Sequence, residues 1–163
     1  MGGMIVAYLE SIKYVGHLWP VALIRILLGY KYISMVVYRL QSGYLEHAYI
    51  SERLNLSEEQ VVAPSLYFDI FKNLVQSQWL GMTYLLVTFE ILIGVSFILG
   101  FGVRIATLLG MVLSIHIYMF FDFQSSPGQI YLFYIHLLFC LLGAGRCLGI
   151  DYYFYKSRRG LLW

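Results

Sequence analysis

Four stretches of about 20 mostly apolar residues, the length that carries a helix across a bilayer, dominate this chain: about 19–38, 79–101, 103–121 and 129–148. None alternates with period two, which argues against a membrane β-barrel and for membrane-spanning helices. Of 163 residues, 60% are apolar and 12% charged, against about 45–50% and about 25% in soluble domains. So few charges leave too little polar surface to wrap a soluble globule, and disorder needs the opposite bias. A net charge of +2 with acids dispersed along the chain excludes a nucleic-acid surface. The reading is an all-α membrane protein, one domain over residues 1–163, with the lipid bilayer as its first partner.

The basic residues orient the spans. One side collects Lys13, Arg104, Arg146, Lys156, Arg158 and Arg159, the other Arg39, Arg53 and Lys72 together with most of the acids. The first side is expected to be cytoplasmic, with both termini inside and the host a bacterial or archaeal cytoplasmic membrane. The N-terminus lacks a basic start and a small-residue cleavage site, so the first span is expected to stay as an anchor. Val6 stands where a myristoylation motif wants Ser or Thr.

Short links at 100–103 and 122–128 force antiparallel neighbours, giving a four-transmembrane-helix, up-down-up-down bundle. The first external connection, about 39–78, is long. Ser57-Glu58-Glu59-Gln60 reads there as a capping box. After Pro64, Leu66, Ile70, Phe71, Leu74 and Val75 recur at helical spacing, predicting a short amphipathic helix on the outer surface or over the bundle end. A weak repeat, IRILLG at 24–29 with VRIATLLG at 103–110, and ILGFGVR at 98–104 with LLGAGR at 141–146, suggests two similar hairpins.

Charge at depth is the informative signal, because it costs about 2.5–3.5 kcal/mol at a helix centre. At about 1.5 Å per residue, Arg25 lies roughly 9 Å from the inner boundary and Glu90 roughly 16 Å from the outer one; Lys31 is also deep. Arg25 cannot lose its proton, so an Arg25–Glu90 pair is expected, with Lys31 competing or snorkelling. That pair serves either to hold helix register or to line a polar pocket. Arg25, Gly29, Tyr32, Val36 and Arg39, at offsets 0, 4, 7, 11 and 14, share one helix face. His116 and His136 sit at similar depth on adjacent spans; two facing imidazoles could hold a haem, against the favoured reading of one interhelical hydrogen bond each. No dense His/Asp/Glu cluster predicts a metal site. Cys140 and Cys147, seven apart on one helix, are too far apart for a disulfide, and no nucleophile, phosphate-loop or dinucleotide motif is present.

These residues resemble the DoxX superfamily of four-helix membrane proteins. The family's first helix carries Arg, Gly, an aromatic, Gly and Lys at the offsets taken here by Arg25, Gly29, Tyr32, Val36 and Arg39, so Val36 replaces the second glycine. Its Glu-x-x-x-Gly and Leu-Gly-x-x-x-Arg pattern is matched by Glu90, Gly94, Leu99, Gly100 and Arg104, and its Gly-rich turn before Asp by Gly143, Gly145, Gly149 and Asp151. The long external loop is similar to the DoxD branch, the large subunit of thiosulfate:quinone oxidoreductase. A more distant likeness is to the membrane domain of vitamin-K-dependent carboxylase-like proteins.

The resemblance implies a quinone-linked role with partner subunits. The expected site places a quinone among Arg25, Lys31, Tyr32 and Glu90, with Glu90 carrying protons and Arg25 supplying positive charge. The competing readings are a non-catalytic subunit of a larger membrane complex and a small transporter.

Overall fold

The computed structural model describes residues 2–56, 63–120 and 128–158, and every regular element among them is helical. Helix α1 (Gly2–Val15) passes through a 3-10 turn (Gly16–Leu18) into α2 (Trp19–Gln41). Two short helices follow, α3 (Tyr49–Leu56) and α4 (Ser65–Ser77). The apolar helices α5 (Trp79–Leu99), α6 (Val103–Phe120) and α7 (Gly128–Leu142) come next, then α8 (Asp151–Arg158).

Among the described residues, three helical segments are long and apolar enough to cross a membrane: Ile12–Gln41, Trp79–Leu99 and Val103–Phe120. Their outward faces are rich in exposed apolar side chains, among them Leu27, Val37, Leu92, Leu108 and Val112, the surface that lipid covers. Pro20 stands in the first turn of α2, where no helical hydrogen bond is lost.

The fourth apolar helix is shorter than the expected 129–148. Helix α7 has 15 residues, about 22 Å of axis, and stops at Leu142 rather than continuing to 148. Gly143 takes a φ of 62°, and the Ala144 N–H closes the helix end on the Phe139 carbonyl. Residues 143–150 form a turn. Likewise α5 ends at Leu99 because Gly100 is left-handed, with a φ of 65°. A Cβ there would also stand 2.5 Å from the Gly149 Cα.

Close approaches set the helix register. A Cβ on Gly29 of α2 would lie 2.9 Å from the Gly94 carbonyl of α5, and one on Gly110 of α6 would lie 2.1 Å from the His136 ring of α7. Small residues thus let backbones and rings meet where hydrophobicity gives no drive between helices. Arg25 lies beside Gly100 and Gly29 beside Gly94, so α2 and α5 run antiparallel. Gly110 against His136 and Arg104 beside Gly143 show the same for α6 and α7. The buried core between them holds Leu28, Tyr32, Ile93, Phe97, Leu113 and Phe139.

The two ends of this assembly differ. One, the turn end, carries Gly100–Gly102, residues 143–150, α1 and α8. Lys156 of α8 donates to Glu10 of α1, and that contact raises the Lys156 amine above its ordinary value. The other, the cap end, carries α3 and α4. Phe68, Phe71 and Val75 of α4 pack with Ile50 and Leu54 of α3 and with Phe120 of α6. The helix expected after Pro64 is present, but its apolar residues divide: Phe71 and Val75 are buried, whereas Leu66, Ile70 and Leu74 are exposed. Helices α1, α3 and α8 were not foreseen. The expected capping box at 57–60 and most of the 122–128 link lie outside the described residues.

Candidate functional site

The expected Arg25–Glu90 pair does not form. Arg25 is fully buried at the turn end. Its Nη1 donates to the carbonyls of Ala144 at 2.7 Å and Cys147 at 3.3 Å, and its Nη2 to Leu148 at 2.9 Å. The guanidinium is therefore the bolt of the glycine turn. Leu148, at a φ of 50°, holds a backbone conformation that costs roughly 1–2 kcal/mol outside glycine, and its carbonyl is one of those that Arg25 receives. Asp151 completes this latch from the other side. The N–H groups of Gly102 and Val103, at the start of α6, donate to its two carboxylate oxygens at 2.7 and 3.1 Å. Burial nonetheless pushes the Asp151 carboxyl above its ordinary value, opposed by those two N–H groups and by Arg25 and Arg104.

Glu90 pairs instead with Arg39. Arg39 Nε lies 3.1 Å from Oε2, and Nη2 donates to Oε1 at 3.2 Å. The reason is side-chain direction: helical side chains lean toward the N-terminus of their own helix. In the antiparallel α2–α5 pair, Arg25 leans to the turn end while Glu90 leans to the cap end, so the two diverge. Arg39, fourteen residues on and about 21 Å along the axis, leans back toward Glu90, and those two converge. The charge distribution in the sequence places Arg39 among the outer-side charges. Its place on the face of Arg25, Gly29, Tyr32 and Val36, all four of them buried, was the signal that could have identified it.

Above this ion pair lies a cleft of about 800 Å³ between α4, α5 and α6, reaching to α3. Its walls are mainly apolar and aromatic, with Phe71, Met82, Leu86 and Phe89 prominent, and Arg39, His116 and Gln129 bring nitrogen groups to it. The Arg39 guanidinium sits 4.8 Å from the Tyr44 ring centroid, which holds it in place as a cation over a π face. His116 shares a 3.2 Å hydrogen bond with the Tyr67 hydroxyl through Nδ1 and meets the Phe71 ring edge-on at 4.4 Å. A mostly apolar hollow of this size with a few convergent polar groups is the usual form of a small-molecule site.

His136 has a separate environment. Its Nδ1 lies 2.5 Å from the Leu132 carbonyl, its Nε2 lies 3.1 Å from the Tyr32 hydroxyl, and its ring tilts over Phe97 at 5.6 Å. His116 and His136 are thus each engaged by a different partner through an interhelical hydrogen bond, as expected of them, and are not brought face to face. Gly110, which seats His136, lies about 9 Å along α6 from His116. Lys31 is exposed and borders a second, small cavity with Tyr32, Glu90, Ser114 and Gln129. Of the expected site residues, Glu90, Tyr32 and Lys31 come together there and Arg25 does not. Arg39, Tyr44, Tyr67 and Ser114 are the additions.

Comparison with protein-family models, with curated proteins and with solved structures found no match to this chain.

Proposed function

We propose that this chain is a small integral membrane subunit of a quinone-linked oxidoreductase or electron-transfer complex, and that the cleft at its cap end holds the quinone. The observation that carries this reading is the junction of an aromatic, apolar hollow with Arg39, which is itself charge-paired to the buried Glu90. A flat ring with two carbonyl oxygens needs donors at one end and apolar walls along its tail. Arg39, His116 and Gln129 supply the first; Phe71, Met82, Leu86 and Phe89 supply the second.

Bound there, the quinone contributes two-electron acceptor chemistry, with electrons delivered by partner subunits. The protein's own residues orient the ring, exclude water and hold a proton at Glu90. In this reading the chain is a DoxX-like, four-span, up-down-up-down bundle, the turn after α7 completing the fourth crossing. The excess of Lys and Arg at the turn end supports placing that end in the cytoplasm, with both termini inside; the host, a bacterium or archaeon, follows from the DoxX-like reading alone.

The test is binding of a short-chain benzoquinone to the protein in lipid nanodiscs, followed by calorimetry. Arg39→Met and His116→Phe each remove one donor to the ring and should weaken binding about tenfold, the worth of a charge-assisted or buried hydrogen bond. Ile70→Trp, which fills the cleft from α4, should abolish it. Equal affinity in all three variants refutes the assignment. In the assembled complex, Glu90→Gln should abolish quinone reduction while the chain remains extractable.

A further inference from the structure

The small cavity beneath the cleft has a chemistry of its own. Its volume is about 10 Å³, the space of a single water. Glu90, Tyr32, Ser114, Gln129 and Lys31 are the polar residues that border it, with Leu, Met and Ile side chains completing the wall. A buried water needs two to four polar partners, and this cavity offers them. Ser114 gives the second, independent indication. Its side chain is 1% exposed; it lies close enough to the Tyr32 hydroxyl to interact with it, yet Oγ makes no well-aligned hydrogen bond among the described residues. A buried hydroxyl without a well-aligned partner is costly, and a water in the adjoining cavity would complete its bonding.

The hydrogen-bond directions beyond this cavity follow from the geometry. His136 Nδ1 faces the Leu132 carbonyl at 2.5 Å, and a carbonyl only accepts, so Nδ1 carries the proton. The bare Nε2 must then accept, and the Tyr32 hydroxyl donates to it across 3.1 Å. With its proton committed to His136, the Tyr32 oxygen is left as an acceptor. It can take a hydrogen from a water that donates its other hydrogen to Glu90. Every link from Glu90 to His136 then has one donor and one acceptor.

We propose that Glu90, Tyr32 and His136 form a proton relay joined by one water seated against Ser114 and Gln129. A proton on the Glu90 carboxyl passes to the water, a water proton passes to the Tyr32 oxygen, and the Tyr32 proton passes to His136 Nε2. The products are a Glu90 carboxylate and a His136 imidazolium; the water and Tyr32 are unchanged, and no electrons move. Protons enter at Glu90, whose partner Arg39 lines the open cleft. The far end is closed, because Gly110 and Phe97 enclose the imidazole. His136 is therefore a store beside the cleft rather than one step of a path across the membrane. The charged and titratable groups that bear on it are Tyr32 and Lys31 from α2, Glu90 from α5 and, through Glu90, Arg39. Among the described residues, α6 brings only uncharged side chains to the cavity, Leu113, Ser114 and Ile117. The relay rests on the small cavity and stands whether or not the cleft takes a quinone.

Nitrogen-15 NMR of histidine-labelled protein in phosphatidylcholine vesicles tests it without any quinone. At high pH, His136 should show the tautomer with the proton on Nδ1. On lowering the pH it should protonate at Nε2. The string spans at most three links of roughly 3 Å each. At that separation, loss of the Glu90 charge in Glu90→Gln should lower the His136 midpoint by about one pH unit. Ser114→Val, which fills the water site, should slow proton exchange at His136 roughly tenfold, the worth of one lost link. Tyr32→Phe, which cuts the string without touching Glu90, should slow it at least as much and serves if Glu90→Gln fails to fold. A His136 midpoint unmoved by Glu90→Gln overturns the relay, as does proton exchange unmoved by Ser114→Val or Tyr32→Phe.

Discussion

Whether Glu90 answers to Arg39 or to Arg25 can be decided by two double-mutant cycles run side by side. The first combines Arg39→Met with Glu90→Gln; the second combines Arg25→Met with Glu90→Gln. Two unit charges 3.1 Å apart attract by about 5 kcal/mol at an effective dielectric of about 20. Desolvation opposes this. The Glu90 side chain is 1% exposed and that of Arg39 is 20% exposed, so part of the field is screened and part of the desolvation cost is relieved. The expected coupling is about 2–3 kcal/mol, within the range of close, partly desolvated charge pairs. In the second cycle, the singly substituted Arg25→Met leaves the carbonyls of Ala144, Cys147 and Leu148 without their cationic donor and should itself cost about 3–5 kcal/mol. Yet Arg25 and Glu90 share no partner and lean apart, so their effects should add to within about 0.5 kcal/mol. The assay is unfolding in mixed micelles of a mild and a denaturing detergent, followed by circular dichroism and by the fluorescence of Trp19 and Trp79. Additivity between Arg39 and Glu90, or coupling above about 1 kcal/mol between Arg25 and Glu90, would falsify the assignment of the ion pair.

Two further outcomes follow from the packing of α6 and from the turn end. Gly110→Ala places a methyl 2.1 Å from the His136 ring and should cost about 1–3 kcal/mol by overpacking; in the same unfolding assay, a neutral effect would mean that α6 and α7 are not held this closely. Burial raises the Asp151 carboxyl above its ordinary 3.8, so the native state keeps a proton that the unfolded chain has released. Stability should therefore decline as the pH rises from about 3.8 through the raised value. Asp151→Asn should flatten that slope, and an unchanged pH profile in the variant would assign the dependence to other groups.

The membrane character, the positions of three long apolar helices and the sharing of one α2 face by Arg25, Gly29, Tyr32, Val36 and Arg39 were all legible in the sequence. Each depends on local periodicity or on transfer energy, which accumulate residue by residue along the chain. The break after Leu142 was partly visible in Gly143, Gly145 and Gly149, but reading 129–148 as one apolar run concealed it. Hydropathy does not register the left-handed backbone that Gly143 adopts.

The sequence by itself also showed that Glu90 and Arg25 lie deep enough to need partners, but it could not show which partners. That choice belongs to tertiary structure, because it depends on antiparallel packing and on the tilt of side chains toward each helix's own N-terminus. Those two facts send Arg25 into the carbonyls of the glycine turn and bring Arg39 back to Glu90. The cleft and the water-sized cavity were likewise beyond sequence: Tyr67 reaches the cleft that Gln129 borders only after α3 and α4 fold over the bundle, and the cavity draws Tyr32, Glu90, Ser114 and Gln129 from four separate helices. Burial cost is a property of a residue and its depth; pairing is a property of geometry between elements.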